Sequence, residues 1–262
     1  MIRQLYVHNF RCLENFTLSL DKAPSVLLVG QNGAGKTTVG FALELFQKIA
    51  RGTNRVRELL VPGDLTRGQT AVPVRFQVEV ELAGKVYTYS VAFELPHGWR
   101  ELRVAEENLT ADGHPVFTRQ AAQVRLTRSS SGSESRFQID WHLVALPIIQ
   151  PQGPDDPISA FKEWFAGALI LRPIPSLAHG NSQSKTLQVD PQVGNFGEWF
   201  SGLLTSAPSA YTKIDQFLKQ VMPDLQDIQN PIVGKDSNAL ALRFATALGA
   251  TQLPFDDLSD GE

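Results

Sequence analysis

Nine residues at positions 30–38, Gly-Gln-Asn-Gly-Ala-Gly-Lys-Thr-Thr, limit what this chain can fold into more than any other stretch. Gly30 to Thr37 fits G-x-x-x-x-G-K-[ST], the phosphate-binding loop pattern. The run Val26-Leu27-Leu28-Val29 before it is wholly apolar, the pattern of a strand buried on both faces. After it, Phe41, Leu45 and Ile49 recur every fourth residue, which predicts a helix from about Lys36 to Ala50. Strand, glycine loop and helix in that order are the context the motif requires. Gly30, Gly33 and Gly35 let backbone N–H groups converge on phosphate oxygens with no Cβ in the way. The helix that follows turns its positive end and unpaired N–H groups toward the same oxygens. Gln31, Asn32, Ala34 and Thr38 complete the expected nucleotide contacts. Lys36 adds a point charge on the β- and γ-phosphates and is the expected catalytic residue. The Thr37 hydroxyl is the expected Mg²⁺ ligand.

The 262 residues suffice for one large domain or two lobes around a sizeable core. No apolar run approaches the roughly 18 residues of a membrane span, and residues 1–4 lack a signal peptide's apolar stretch. The single cysteine, Cys12, excludes an internal disulfide and fits a reducing cytoplasm; it reads as a passive residue. Net charge is −3, with 17 Lys and Arg against 14 Asp and Glu in residues 1–140 and 7 against 13 in the rest. Neither part has the basic excess of a dedicated nucleic-acid binder. One local cluster, Lys48, Arg51, Arg55 and Arg57, follows the first helix. It reads first as helix-end charge and solvated loop, with a DNA or RNA contact as the alternative.

Residues 2–8 and 16–20 read as strands, joined through Asn9-Phe10-Arg11. A strand ending in Asn-Phe-Arg, a second strand, and then the glycine loop resembles the opening of an ABC-type ATPase head of the SMC/RecF/OLD group. These are bacterial AAA-labelled ATPases with an ABC core. The resemblance implies an α/β P-loop NTPase fold with a flanking antiparallel β-layer and a helical lobe. It also implies ATP and Mg²⁺ as ligands, and Asn9 and Arg11 close to the nucleotide; the alternative for Arg11 is that it only caps a surface turn.

Further along, a short helical piece is expected near residues 55–60 and a turn at Pro62-Gly63-Asp64. Residues 72–95 alternate apolar and polar on both sides of Ala83-Gly84, which predicts a hairpin with one buried face. More strands are expected around 99–109, 122–128 and 135–144, with a low-complexity serine loop at 129–135. Tyr87-Thr-Tyr89 and Glu107-Asn-Leu109 are similar to the antiparallel layer of the same group, where a structural role is preferred. Residues 147–158 hold four prolines and two aspartates and read as an exposed connection, followed by a helix near 158–165. Ala168-Leu-Ile-Leu171 is a second buried-strand candidate. It ends in Arg172-Pro173, where the family places a Gln, so no Q-loop residue is assigned. Residues 178–192 read as loop, 196–204 and 210–221 as helices, and 238–247 as a strand. The stripe Ile214, Phe217, Leu218 and Val221 reads as core.

Leu258-Ser-Asp-Gly-Glu262 resembles the ABC signature, and also reads as a capping box that starts a helix. In the family the signature of one head meets the γ-phosphate held by the other. This implies that Ser259 and Gly261 act in trans in a head-to-tail homodimer. No run of four apolar residues closing in Asp-Glu occurs, so the Walker B strand and its catalytic Glu are expected elsewhere. The expectation is therefore a single head, residues 1–145 carrying the loop and the β-layer and 146–262 the helical lobe, with an incomplete core. ATP binding comes first, with hydrolysis in the complete protein. A DNA-related or defence role with a nuclease or other effector is expected, and no membrane. The competing readings are a nucleotide-binding module without turnover and another P-loop class. The latter is disfavoured by the absence of Asn-Lys-x-Asp.

Overall fold

The computed structural model describes residues 1–20, 23, 25–127, 134–153, 155–247 and 249–259. The chain divides into two compact units, one reaching to Leu169 and one beginning at Ile170. The first is built on β1 (Ile2–His8), β2 (Phe16–Ser19), α1 (Lys36–Ala50), α2 (Val56–Leu59), β3 (Val74–Leu82), β4 (Lys85–Glu94), β5 (Arg103–Ala111), β6 (His114–Gln120), β7 (Gln123–Thr127), β8 (Glu134–Gln138) and α3 (Pro157–Gly167). Its strands form one eight-stranded sheet in the order β2-β1-β3-β4-β5-β6-β7-β8, with every pair antiparallel.

Alternation decides which face of the sheet is covered. Leu5 and Val7 of β1, Val74, Phe76, Val78 and Val80 of β3, and Tyr87, Tyr89, Val91 and Phe93 of β4 are all buried in one cluster with Ala42, Leu45, Phe46 and Ile49 of α1. The β3–β4 turn falls on Ala83-Gly84, both at positive φ, as a tight two-residue hairpin loop requires. Phe46 meets Phe76, Tyr89 and Phe165 ring to ring, so α1 and α3 share the cover. Asp156 caps α3 by accepting from the Ile158 N–H at 2.8 Å, with Pro157 in the first turn where no N–H is needed. The Gln47 side chain donates to the Ala168 carbonyl, and Arg51 Nε donates to that of Ala166 at 2.9 Å, which ties the ends of α1 and α3 together.

Two sequence expectations fail here. Residues 26–29 form no strand, and Val26, Leu27, Leu28 and Val29 are 49, 84, 38 and 85% exposed. A strand buried on both faces needs neighbours for its backbone groups and cover for its side chains, and among the described residues no strand pairs with this run. The candidate at 168–171 forms none either, and Leu169 is 69% exposed. Most of the serine loop lies outside the described residues.

The second unit holds β9 (Asn181–Ser182), α4 (Phe196–Ser206), α5 (Ser209–Val221), β10 (Leu225–Gln229), β11 (Ile232–Val233), β12 (Ser237–Ala239), β13 (Ala241–Thr246) and β14 (Gly249–Pro254). Its strands form two three-stranded antiparallel sheets, β10-β13-β14 and β11-β12-β9. A small core gathers Phe200, Leu225, Ile228, Leu240, Leu242 and Phe244. α4 sits close on the loop before it: a Cβ at Gly202 would lie 2.2 Å from the Thr186 carbonyl oxygen, so only glycine fits there. The expected core stripe of α5 splits. Ile214 and Leu218 pack on this core, whereas Phe217 and Val221 are 63 and 60% exposed, because the narrow sheet covers only one flank of the helix.

Candidate functional site

The glycine loop precedes α1, which begins at Lys36 as the motif predicts. Gly33 and Gly35 have φ of 84 and 94°, a left-handed conformation that a side chain would strain. At Gly35 an added Cβ would also lie 2.9 Å from Leu13 Cδ2 and 3.2 Å from Cys12 Sγ. This glycine is therefore fixed twice, by backbone angle and by the close approach of residues 12 and 13. Gly35 is the N-cap of α1 and has no side chain to cap it, and among the described residues none does so in its place, which leaves the first-turn N–H groups open to an anion.

Residues 30–34 and Thr37 are exposed, as a loop that receives a ligand from solvent must be. Lys36 Nζ donates to the carbonyls of Gly30 at 2.7 Å and Gln31 at 2.8 Å, folding the side chain across its own loop. The Gln31 carbonyl also accepts from the Ala34 N–H at 3.2 Å. Asn32 is exposed beside them. Thr38 is buried and lies 3.5 Å, Oγ1 to Sγ, from Cys12. The two threonines are thus divided: Thr38 faces protein and Thr37 faces solvent.

Asn9 and Arg11 enter through a corner between β1 and β2 that is bent by left-handed backbone at both residues, with φ of 57 and 52°. Asn9 is 1% exposed. Its amide donates to the carbonyls of Gln69 at 3.0 Å and Val72 at 2.8 Å and accepts from the Thr66 N–H at 3.2 Å. Asn9 thus holds the corner that carries Arg11 and ties it to the loop of residues 61–72. Arg11 lies against α1, its guanidinium carbon 4.1 Å from the centre of the Phe41 ring, and its Nε donates to Asp64 at 3.0 Å. Sequence reasoning missed Cys12 and Leu13 as neighbours of the loop and Asp64 and Phe41 as partners of Arg11. Only chain topology brings them there, and Asp64 reads in sequence as an ordinary turn residue.

Ser259 is exposed and belongs to the second unit, while Gly261 and the rest of the signature-like tail lie outside the described residues. Among the described residues no cluster of three or more His, Cys, Asp or Glu could hold a metal by itself. The donor set at the loop suits Mg²⁺ in one manner only, with the Thr37 hydroxyl as a protein ligand and phosphate oxygens and water as the remainder. Among the described residues no helix is long and apolar enough to cross a membrane.

Residues 1–79, which contain the loop, α1, Asn9, Arg11 and Asp64, match the family model of an AAA ATPase domain. A segment of 45 residues is 51% identical to an OLD nuclease of Thermus scotoductus; it makes up 17% of this chain and 8% of that protein's length. The N-terminal part of the chain is therefore similar to an AAA ATPase domain and, over that 45-residue segment, to an OLD nuclease.

Proposed function

We propose that residues 30–38 bind MgATP as the phosphate loop of an ABC-type ATPase head. The observation that carries this reading is the N-terminus of α1, without a side-chain cap among the described residues, behind a loop whose Gly33 and Gly35 adopt positive φ. Such a loop turns successive N–H groups inward, and those groups with the helix dipole favour a polyanion. Lys36 then exchanges the Gly30 and Gln31 carbonyls for phosphate oxygens. Thr37 offers its hydroxyl to Mg²⁺, whose part is to neutralise charge building on the phosphates. Gly30, Gln31, Asn32, Ala34 and Thr38 shape the cradle. The match of residues 1–79 to an AAA ATPase domain supports the same reading.

On this reading the cycle is ATP hydrolysis coupled to association of two heads. Likeness to a nuclease makes a nuclease effector the preferred output. A second reading, binding without turnover by these residues alone, is favoured by the exposed run 26–29. A strand of that composition belongs in a larger core sheet, the place where the family carries its catalytic Glu. One experiment separates the two: nucleotide affinity and ATP turnover of the purified chain, beside Lys36→Ala. Binding lost in Lys36→Ala with no turnover in either form supports a head that lacks its catalytic carboxylate. Turnover abolished by Lys36→Ala puts that carboxylate within these residues. Equal affinity of both forms removes the loop from the binding site.

A further inference from the structure

Arg11 is held from two sides. Its backbone N–H donates to the Asp64 carbonyl at 2.7 Å, and its Nε donates to the Asp64 carboxylate at 3.0 Å. Below it, the Phe41 ring lies 4.1 Å from the guanidinium carbon. Asp64 is itself fixed, its second carboxylate oxygen accepting from the Val61 N–H at 3.1 Å, with the side chain 17% exposed. An ion pair at Nε and a ring contact together determine the plane of the guanidinium. Among the described residues neither Nη group has a hydrogen-bond partner, and the Arg11 side chain is 40% exposed.

A guanidinium tied at Nε and open at both Nη groups is a pre-set fork for phosphate oxygens. The fork lies beside α1, over a ring one helical turn beyond Thr37. The corner that carries it touches the loop itself, through Cys12 at Thr38 and Leu13 at Gly35. The left-handed backbone of Arg11 is unfavourable for a long side chain and is retained because Asn9 and Asp64 bind the corner on either side.

We propose that Asp64 is a positioning residue: it orients Arg11 so that the two Nη groups meet the phosphates of a nucleotide held by residues 30–38. The inference rests on the reading that this loop binds nucleotide. The bland alternative is a partly exposed ion pair that only fastens the 61–72 loop.

A double-mutant cycle on the full chain distinguishes them, with MgATP as the probe and the affinities of wild type, Arg11→Ala, Asp64→Ala and the double variant as the readout. The expectation is about tenfold weaker binding in Arg11→Ala and about three- to tenfold in Asp64→Ala, with no further loss when Asp64→Ala is added to Arg11→Ala. An Asp64→Ala effect that persists in the Arg11→Ala background overturns the positioning role, as does unchanged affinity in Asp64→Ala. Asp64→Asn, which keeps an acceptor for Nε, is expected to bind MgATP close to wild type, and Asp64→Leu takes the place of Asp64→Ala in the cycle if the latter does not fold. Lys36→Ala run alongside separates the two levels. If it binds MgATP like wild type, the loop reading fails; if it loses binding while the cycle shows no coupling, only the Asp64 inference fails.

Discussion

Glu107 is the residue whose burial most needs explaining in the first unit. It lies fully buried on β5 with Arg119 of β6, their charged atoms 3.5 Å apart. Burial pushes the Glu107 carboxyl up and the Arg119 guanidinium down, so each charge is unfavourable there and is kept only by its partners. Those partners are numerous. Glu107 accepts from the Tyr89 hydroxyl at 2.9 Å and from the N–H groups of Ala145 at 2.7 Å and Leu146 at 2.8 Å. Arg119 donates to the carbonyls of Ala121 at 2.7 Å, Asp140 at 3.0 Å and Leu143. The pair thereby adds to the backbone bonds of Ile139 to Ala122 and of Val104 to Trp141 in fastening residues 139–146 to the sheet, and the Tyr89 phenol, buried beside the carboxylate, is pushed well up. Gln in place of Glu107 must turn an NH₂ toward a donor it now accepts from. Glu107→Gln is therefore expected to lower unfolding free energy by about 1–3 kcal/mol, read as a lower urea midpoint with unchanged m-value. A midpoint equal to wild type would mean that this network is not formed.

At the scale of elements, legibility in the sequence followed how evenly burial is patterned. The β3–β4 hairpin and α1 were plain because each presents one apolar face at a constant period. β6 was not, because a register shift between Leu109 and Thr110 breaks its alternation against β5. β8 was legible only in position, since all five of its residues are exposed. Asn9 and Arg11 were singled out by resemblance, but the reason they matter locally, the bonds to residues 64–72, depends on contacts more than 50 positions away in sequence. The run 26–29 departs in the opposite sense: its composition encodes burial on two faces that the described residues do not provide. Leu27 and Val29 at 84 and 85% exposure make almost no contacts to lose. Leu27→Lys and Val29→Lys are therefore expected to change the stability of this chain by no more than about 0.5 kcal/mol. Amide exchange checks the same point. Residues 26–29 should exchange fast while residues 76–80 of β3 stay protected; slow exchange at 26–29 would mean the run is paired after all.

At the scale of the whole molecule, the loop and the signature-like Ser259 belong to different units, 1–169 and 170–262. The resemblance to ABC-type heads assigns Ser259 to the nucleotide of a second copy. If that holds, two copies related by a two-fold axis bury two nucleotides, each touched by the loop of one chain and the Ser259 region of the other. Nucleotide binding and association are then one linked equilibrium, and the coupling must be reciprocal: MgATP strengthens the dimer by the same factor as dimerisation strengthens MgATP binding. Wild-type protein is thus expected to sediment as a dimer with MgATP and to show higher nucleotide affinity at higher protein concentration. Ser259→Arg places a bulky cation on an exposed position away from the chain's own loop residues in sequence, so binding by the monomer should persist. What it should abolish is the MgATP-dependent dimer, and with it the concentration dependence of the affinity. A Ser259→Arg protein that dimerises as wild type does would remove the residue from the interface. A nucleotide affinity independent of concentration in wild type would remove the coupling itself.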